Sequence, residues 1–344
     1  MIRFDSDYVE GAHENILRRM LETNMEQTIG YGEDPWCDSA RARIRAACQA
    51  PDAAVHFLVG GTQANATVIG SILRPHQGVL SAATGHINVH ETGAVESLGH
   101  KVLALPHRDG KITAKQVEQA VRDHYADSAF EHIVQPGMVY ISHPTEYGTL
   151  YSLQELTDLS GVCRKYGLPL FLDGARLGYG LAAGDVQLPD LARLCDVFYI
   201  GGTKCGALFG EAVVITSAAL QKDFRYHIKQ KGGMLAKGRL LGIQFDVLFT
   251  DDLYRQITAK AVEKAMRVRE AFRARGISML IDSPTNQQFP ILDHAQREYL
   301  ESRFALSHWQ RTDAGHDAMR IAVSWATTEE NLNTLLEAIA RMPA

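Results

Sequence analysis

Apolar runs recur along the first two thirds of the chain, and glycines or polar residues end most of them. Several runs are continuous rather than alternating, as expected for strands that are covered on both faces. The pattern predicts a mainly parallel sheet of seven strands, at Val55 to Val59, Val79 to Ala82, Val102 to Leu105, Met138 to Ser142, Leu170 to Leu172, Val197 to Ile200 and Ala212 to Thr216.

Helical segments lie between these runs and carry clear start signals. Thr113 followed by Gln116, and Ser152 followed by Glu155, are capping boxes ahead of amphipathic stretches. Gly167 supplies a stop for the second of these helices. Alternating strands and helices predict an α/β domain in which helices flank the sheet.

The pattern changes after about residue 245. A long helical stretch from Leu253 to Arg275 is ended by Gly276. We expect short strands after it, at 277–281, 288–292 and 319–323, and a final helix with Thr327 and Glu330 as its capping box. The chain is therefore predicted to form a large domain over 1–245 and a smaller C-terminal α/β domain over 246–344.

The bulk composition is that of an ordinary globular protein. The chain has 344 residues, of which 46% are hydrophobic and 22% charged, with a net charge of -5. Lysine and arginine are scattered, so nothing indicates a nucleic-acid or membrane partner, and a small-molecule substrate is expected. The first residues lack the apolar core of a signal peptide, and we expect a cytoplasmic location. The five cysteines are expected to be reduced thiols.

Lys204 is the strongest candidate for chemistry. It follows the apolar run Val197 to Ile200 inside a glycine-rich loop, where poor hydration would lower its pKa and leave an amine nucleophile. A surface lysine at the end of a core strand is the alternative. Cys205, its neighbour, has no evident base and is not expected to be a nucleophile.

Three further stretches carry candidate groups. Gly61 and Thr62 stand between a predicted strand and a helix, where backbone amides can hold a phosphate, although a plain turn has the same pattern. Asp173 ends a buried strand, where α/β sheets place ligand groups, although a capping aspartate is equally consistent. His86 and His90 are four apart, but no third ligand completes a metal site, and none is predicted.

Taken together and in this order, these motifs resemble the pyridoxal-phosphate lyases of the L-threonine aldolase and β-eliminating lyase family, which have the fold-type I architecture. The resemblance covers nearly the whole chain. It includes Ser6 with Asp7, Tyr31 with Gly32, Asp34 with Pro35, the run from Gly61 to Asn65, His86, the run from Asp173 to Arg176, Lys204 and Arg320.

The resemblance implies pyridoxal 5'-phosphate as cofactor and a role for each residue. Lys204 would hold the cofactor as a Schiff base, Asp173 would pair with its ring nitrogen, and His86 would stack on the ring and act as a base. The phosphate would be bound by Gly61 and Thr62, and Thr203 would add a hydrogen bond near the ring. Substrate-binding groups would be Ser6, Tyr31, Arg176, Glu146 and Arg320, with the two arginines on the carboxylate.

Two features depart from the family pattern. Glu146 stands where many members have a second histidine near the substrate hydroxyl. Lys237 follows a glycine pair where the family has an arginine donated by a neighbouring subunit, and it would reach the cofactor phosphate as a point charge. The resemblance implies a homodimer or homotetramer with sites shared between subunits, in which Tyr31 and Lys237 cross the interface.

Three functions are open at this point. The first is a retro-aldol lyase that cleaves threonine, allo-threonine or phenylserine to glycine and an aldehyde. The second is a β-eliminating lyase that yields a keto acid and ammonia with the same residues. The third is a nucleotide-binding oxidoreductase or a non-catalytic binding protein, because fold alone does not fix function.

Overall fold

The computed structural model describes residues 1–343. The strands in chain order are β1 (Ile2–Arg3), β2 (Ala54–Leu58), β3 (Gln77–Ala82), β4 (Lys101–Leu105), β5 (Gln135–Ser142), β6 (Leu170–Asp173), β7 (Val197–Gly201), β8 (Glu211–Ile215), β9 (Gln287–Gln288), β10 (Ile291–Asp293), β11 (Phe304–Ala305), β12 (Ser307–Arg311) and β13 (His316–Ala322).

Helices fill most of the remaining chain. They are α1 (Glu14–Glu22), α2 (Pro35–Cys48), α3 (Gly61–Ile72), α4 (His86–Val89), α5 (Ala114–Ala126), α6 (Leu153–Tyr166), α7 (Leu177–Ala183), α8 (Leu188–Leu194), α9 (Ala218–Gln221), α10 (Phe224–Gln230), α11 (Arg239–Leu248), α12 (Leu253–Ala274), α13 (His294–Glu301) and α14 (Glu329–Arg341).

A seven-stranded sheet forms the centre of the molecule, in the order β2-β8-β7-β6-β5-β3-β4. All its neighbours are parallel except β8, which runs antiparallel to both β2 and β7. One apolar core lies on each face, and Tyr140, Phe171 and Tyr199 belong to the core that α3 covers. The seven predicted strands and the mainly parallel sheet are confirmed.

Local signals placed the helices of this part correctly. Thr113 with Gln116, and Ser152 with Glu155, form both hydrogen bonds of a capping box. Gly167 follows α6 with φ +66°, a conformation that glycine adopts without steric cost. Both capping boxes and the glycine stop are therefore confirmed.

The C-terminal part contains a smaller sheet, in which β13 pairs with β10, β12 and β9. The strand predicted at 277–281 is wrong, since only Met279 forms an isolated bridge, with Pro290. The predicted capping box at Thr327 is also wrong. Thr328 caps α14 instead, and its hydroxyl accepts from the Asn331 amide.

A third core joins the two ends of the chain. It contains Phe4 together with residues from Ala265 to Met342, and α12 contributes Ala265, Val268 and Phe272 to it. The earlier turns of α12 pack instead on the core of the large sheet. The division between 1–245 and 246–344 stays a prediction. Within residues 1–343, no helix combines the length and apolar character needed to cross a membrane.

Candidate active site

One edge of the large sheet collects the chemically active side chains. β2, β3, β5, β6 and β7 run in the same direction, so their carboxyl ends meet at this edge, where open α/β sheets bind ligands. A cavity of about 270 Å³ opens there. It is lined by Tyr8, Val59, Gly60, Gly61, Thr62, His86, Ser142, Pro144, Thr145, Glu146, Asp173, Ala175, Arg176, Tyr199, Thr203, Lys204 and Glu211.

Lys204 lies in the loop between β7 and β8, with its amine facing the cavity. Burial lowers the pKa of Lys204, and the positive charge of Arg176 adds to the effect. Its Nζ lies 5.8 Å from the centre of the Tyr8 ring. A lowered pKa leaves more of the amine unprotonated, which is the nucleophilic form.

Glu211 supports the lysine loop from the start of β8. Its carboxylate accepts hydrogen bonds from the Gly202 amide at 3.0 Å and from the Thr203 hydroxyl at 2.8 Å. Burial raises the pKa of Glu211 to about 8. The two bonds fix the backbone turn that precedes Lys204.

Asp173 ends β6, and four donors hold its carboxylate. The Tyr199 hydroxyl donates to Oδ1 at 2.5 Å and the Tyr140 hydroxyl to Oδ2 at 2.6 Å. Asn65 Nδ2 and the Ala175 amide each donate at 3.0 Å. Burial opposes the charged form, but the nearby His86 and the donated hydrogen bonds bring the pKa of Asp173 below its usual value.

The amino end of α3 closes another side of the cavity. Gly60 precedes the helix with an extended backbone, and a Cβ added there would meet no atom within 4 Å. Gly61 approaches the Tyr199 hydroxyl closely, since an added Cβ would lie 3.0 Å from it. The first backbone amides of a helix attract anions, so this end of the cavity suits a phosphate.

His86 begins α4 and belongs to a chain of hydrogen bonds that reaches Asp173. Its Nδ1 lies 2.7 Å from Glu91 Oε1, and the same oxygen accepts from Asn65 Nδ2 at 2.6 Å. Asn65 in turn donates to Asp173. Glu91 is almost fully buried, so it fixes the orientation of the His86 ring at the cavity.

Glu146 lines the cavity beside His86. Its Oε1 accepts from the Ser142 hydroxyl at 2.6 Å and from the backbone amide of His86 at 2.9 Å. Its Oε2 is buried and has no hydrogen-bond partner among the described residues. Burial raises the pKa of Glu146. The carboxyl group therefore retains capacity for one further polar partner.

Arg176 is held by a buried carboxylate. Its Nε and Nη2 donate to the two oxygens of Asp7 at 2.7 and 2.9 Å, and Asn286 Nδ2 donates to Asp7 at 2.9 Å. Arg320 does not line the cavity, and its Nη2 donates to the Asp5 carbonyl at 2.8 Å. Arg320 Nε and the Ser6 hydroxyl are buried without partners among the described residues.

The structure thus brings most of the predicted residues together. Ser6 and Arg320 are not among the residues that line this cavity. Tyr31 and Lys237 do not line it within one chain either: Tyr31 lines a separate groove with Tyr226 and Met234, and Lys237 is exposed. Among residues 1–343, no group of three His, Cys, Asp or Glu side chains is arranged to hold a metal ion.

Sequence reasoning missed several residues of the site. Glu211 carried a usable signal, because it is the single acidic residue in an otherwise apolar strand. Tyr140 and Tyr199 carried none, since a tyrosine within an apolar run looks like an ordinary core residue. Asp7 follows Ser6 in the family motif, but no local pattern links it to its partner Arg176, which is 169 residues away.

Comparison with known proteins agrees with this geometry. A low specificity L-threonine aldolase of Pseudomonas aeruginosa is 29% identical over 339 residues, covering 97% of this chain and 95% of that protein. A solved structure of a Leishmania major threonine aldolase is 42% identical, with a TM-score of 0.96 and 99% of each chain covered. A Thermus thermophilus aspartate aminotransferase double mutant has a TM-score of 0.71 at 15% identity, covering 99% of this chain and 91% of that one, a likeness of fold alone.

The fold is that of the fold-type I pyridoxal-phosphate enzymes, as predicted. The beta-eliminating lyase family matches residues 3–334. The chain belongs to that family. Membership confirms the predicted resemblance and argues against a nucleotide-binding oxidoreductase or a non-catalytic binding protein.

Proposed function

We propose that this chain is a pyridoxal 5'-phosphate-dependent aldehyde-lyase. It would cleave the Cα–Cβ bond of an L-β-hydroxy-α-amino acid, such as threonine, allo-threonine or phenylserine, to glycine and an aldehyde. The observation that carries the proposal is the meeting of Lys204, Asp173 and the amino end of α3 in one cavity. The aldolase names of its relatives support the same reaction.

The residues present fit this cofactor. Lys204 offers an amine of lowered pKa for covalent attachment of an aldehyde, and Asp173 offers a buried carboxylate for a ring nitrogen. Gly61 and Thr62 would hold the phosphate, and the open space at the Gly60 Cα is consistent with a group lying against the backbone. When bound, the cofactor supplies a conjugated ring that accepts electrons from the substrate Cα.

Arginines would orient the substrate carboxylate. Asp7 holds Nε and Nη2 of Arg176, which leaves Nη1 of that guanidinium for a ligand. Arg320 Nε and the Ser6 hydroxyl are two further buried donors without partners among residues 1–343. Fixing the carboxylate determines which bond to Cα breaks, because only one bond can align with the ring system.

A base must remove the proton of the β-hydroxyl group, and two side chains compete for that role. His86 is held by Glu91, while Glu146 has a buried oxygen free for one more partner. We propose that His86 removes this proton, directly or through water, and that Glu146 contacts the substrate. His86→Phe should keep the yellow colour of bound cofactor but lose about 10²-fold or more in turnover. If Glu146→Gln shows that loss while His86→Phe does not, the two roles are exchanged.

The test of the reaction is a spectrum of the purified protein before and after addition of L-threonine or L-phenylserine, with the products assayed. A visible band that borohydride shifts, together with glycine and an aldehyde, supports the proposal. The family name makes β-elimination the second candidate, and pyruvate with ammonia from a β-substituted amino acid would favour it. Absence of any cofactor band, with no response to added cofactor, contradicts both.

We further propose a homodimer or homotetramer in which Tyr31 and Lys237 reach the site of a neighbouring subunit. Exposed apolar side chains support assembly: Leu21, Met25 and Ile29 are 79, 87 and 71% exposed. A fully active monomer in sedimentation would contradict this. The proposed location is cytoplasmic, which the five free cysteines support and cell fractionation would test.

A further inference from the structure

Four donors of the protein hold the carboxylate of Asp173, two on each oxygen. Oδ1 accepts from the Tyr199 hydroxyl and the Ala175 amide, and Oδ2 accepts from the Tyr140 hydroxyl and Asn65 Nδ2. Each oxygen therefore receives one phenol and one amide donor.

We propose that Tyr140 and Tyr199 are a pair of positioning residues that keep Asp173 ionised in its buried place. The pair would thereby maintain the negative charge that holds the ring nitrogen of the cofactor. This second statement rests on the proposed function, whereas the first concerns only the protein's own residues.

Strand order places the two phenols on either side of Asp173. Tyr140 lies on β5 and Tyr199 on β7, the two strands that flank β6. Phe171 of β6 separates their rings, with its centroid 5.7 Å from that of Tyr140 and 6.3 Å from that of Tyr199. Both tyrosines are at most 1% exposed, so bulk water competes little with Asp173 for their hydroxyl groups.

The phenols are suited to donate rather than to ionise. Burial raises the pKa of both tyrosines well above the usual value, and the charge of Asp173 raises it further. A buried carboxylate without such donors would take up a proton, since burial favours the neutral acid. Removing one donor to the charged carboxylate should therefore raise its pKa by about one to two units.

The test is the pKa of Asp173 in the full chain freed of cofactor. The ¹³C signal of its carboxyl group, assigned with Asp173→Asn, would be titrated between pH 3 and 8 in Tyr140→Phe and in Tyr199→Phe. We expect each change to raise that pKa by about one unit or more. Tyr151→Phe is the matched control, because Tyr151 is equally buried but its hydroxyl accepts from the Ile112 amide.

Two results would overturn the inference. One is an Asp173 pKa that is unchanged in both folded variants. The other is an equal rise in Tyr151→Phe, which would indicate a general packing effect. If the phenylalanine variants do not fold, 3-fluorotyrosine at position 199 replaces them, since a more acidic phenol is a stronger donor. It should lower the pKa of Asp173, and an unchanged or raised value would contradict the pair's role.

Cofactor binding separates this inference from the proposed function. We expect the affinity for pyridoxal 5'-phosphate, measured by tryptophan fluorescence, to decrease as the pH is lowered and Asp173 takes up a proton. This decrease should begin at a higher pH in the phenylalanine variants than in the wild type. A wild-type chain that does not bind the cofactor contradicts the proposed function but not the ionisation of Asp173. If the affinity for the cofactor is lost at the same acidic pH in all variants, the phenol pair does not influence cofactor binding.

Discussion

Replacing Asp7 by asparagine removes the counterion of Arg176, which lines the cavity. Both groups are withdrawn from water: the Asp7 side chain is 0% exposed and that of Arg176 12%. Two parallel hydrogen bonds of 2.7 and 2.9 Å join them. An asparagine side chain in this place would offer one acceptor oxygen, but its amide group is a donor and would face the donors of the guanidinium. The buried positive charge of Arg176 would then have no negative partner in Asp7.

The magnitude follows from two independent estimates. Burial opposes the charge of Asp7, yet Arg176 and Lys204 lower its pKa from 3.8 to about 2. That difference corresponds to about 2 kcal/mol of stability at neutral pH. Leaving a buried partner unpaired costs roughly 3–5 kcal/mol in comparable cases, a larger figure because it includes the stranded arginine. We therefore expect Asp7→Asn to lose about 3–5 kcal/mol at pH 7.

The sign of the pH dependence is fixed by the lowered pKa. The contribution of Asp7 is complete above the unfolded pKa near 4 and disappears as the pH falls toward about 2. Urea unfolding at pH 7, 4 and 3 should thus show the gap between wild type and variant narrowing below pH 4. Asp252→Asn is the control, since its pair with Arg255 is exposed and worth at most about 1 kcal/mol. A variant as stable as wild type at pH 7, or a gap that stays constant below pH 4, would refute the reasoning.

Two further predictions concern packing and thiols. Gly174→Ala should lower the free energy of unfolding by about 3 kcal/mol or more, because the added Cβ would lie 1.9 Å from the Tyr199 carbonyl oxygen. Gly161→Ala, inside α6, should raise it by up to about 1 kcal/mol, because the added Cβ meets nothing within 4 Å. Equal urea midpoints would contradict this. Folded protein should react slowly with a disulfide reagent at every cysteine, since burial raises the pKa of Cys205 to about 12 and all five are buried. A fast thiol before denaturation would count against it.

The large sheet was predictable because its strands are covered on both faces, and strands buried in this way have continuous apolar runs in the sequence. The C-terminal sheet was harder. β12 reads Ser-His-Trp-Gln-Arg and lies at an edge, where one side faces solvent and little apolar pattern remains. The apolar stretch at 277–281 forms only a bridge, since a short run fits a loop over a core as well as a strand.

In the site too, some residues were predictable from the sequence and others were not. Lys204 and Asp173 were predictable because each stands at the end of a buried strand, where sequence order implies position in space. The hydrogen bonds that hold them were not. Asp173 meets Tyr140 through the pairing of neighbouring strands, and Arg176 meets Asp7 only through the path of the N-terminal segment. Such contacts depend on the completed fold rather than on local pattern.

That N-terminal segment also sets an order of events during synthesis. β1 pairs with β11, Phe4 lies in the core built by residues 265–342, and the Phe4 carbonyl accepts from the Ala322 amide. Residues 2–4 therefore cannot complete these contacts until residues near 322 have left the ribosome, and Asp7, which follows them, also needs Asn286. The large sheet can form earlier, but Arg176 must wait for Asp7. A nascent chain would thus carry a nearly complete sheet for some time before its catalytic pocket is finished, which separates the onset of folding from the onset of activity.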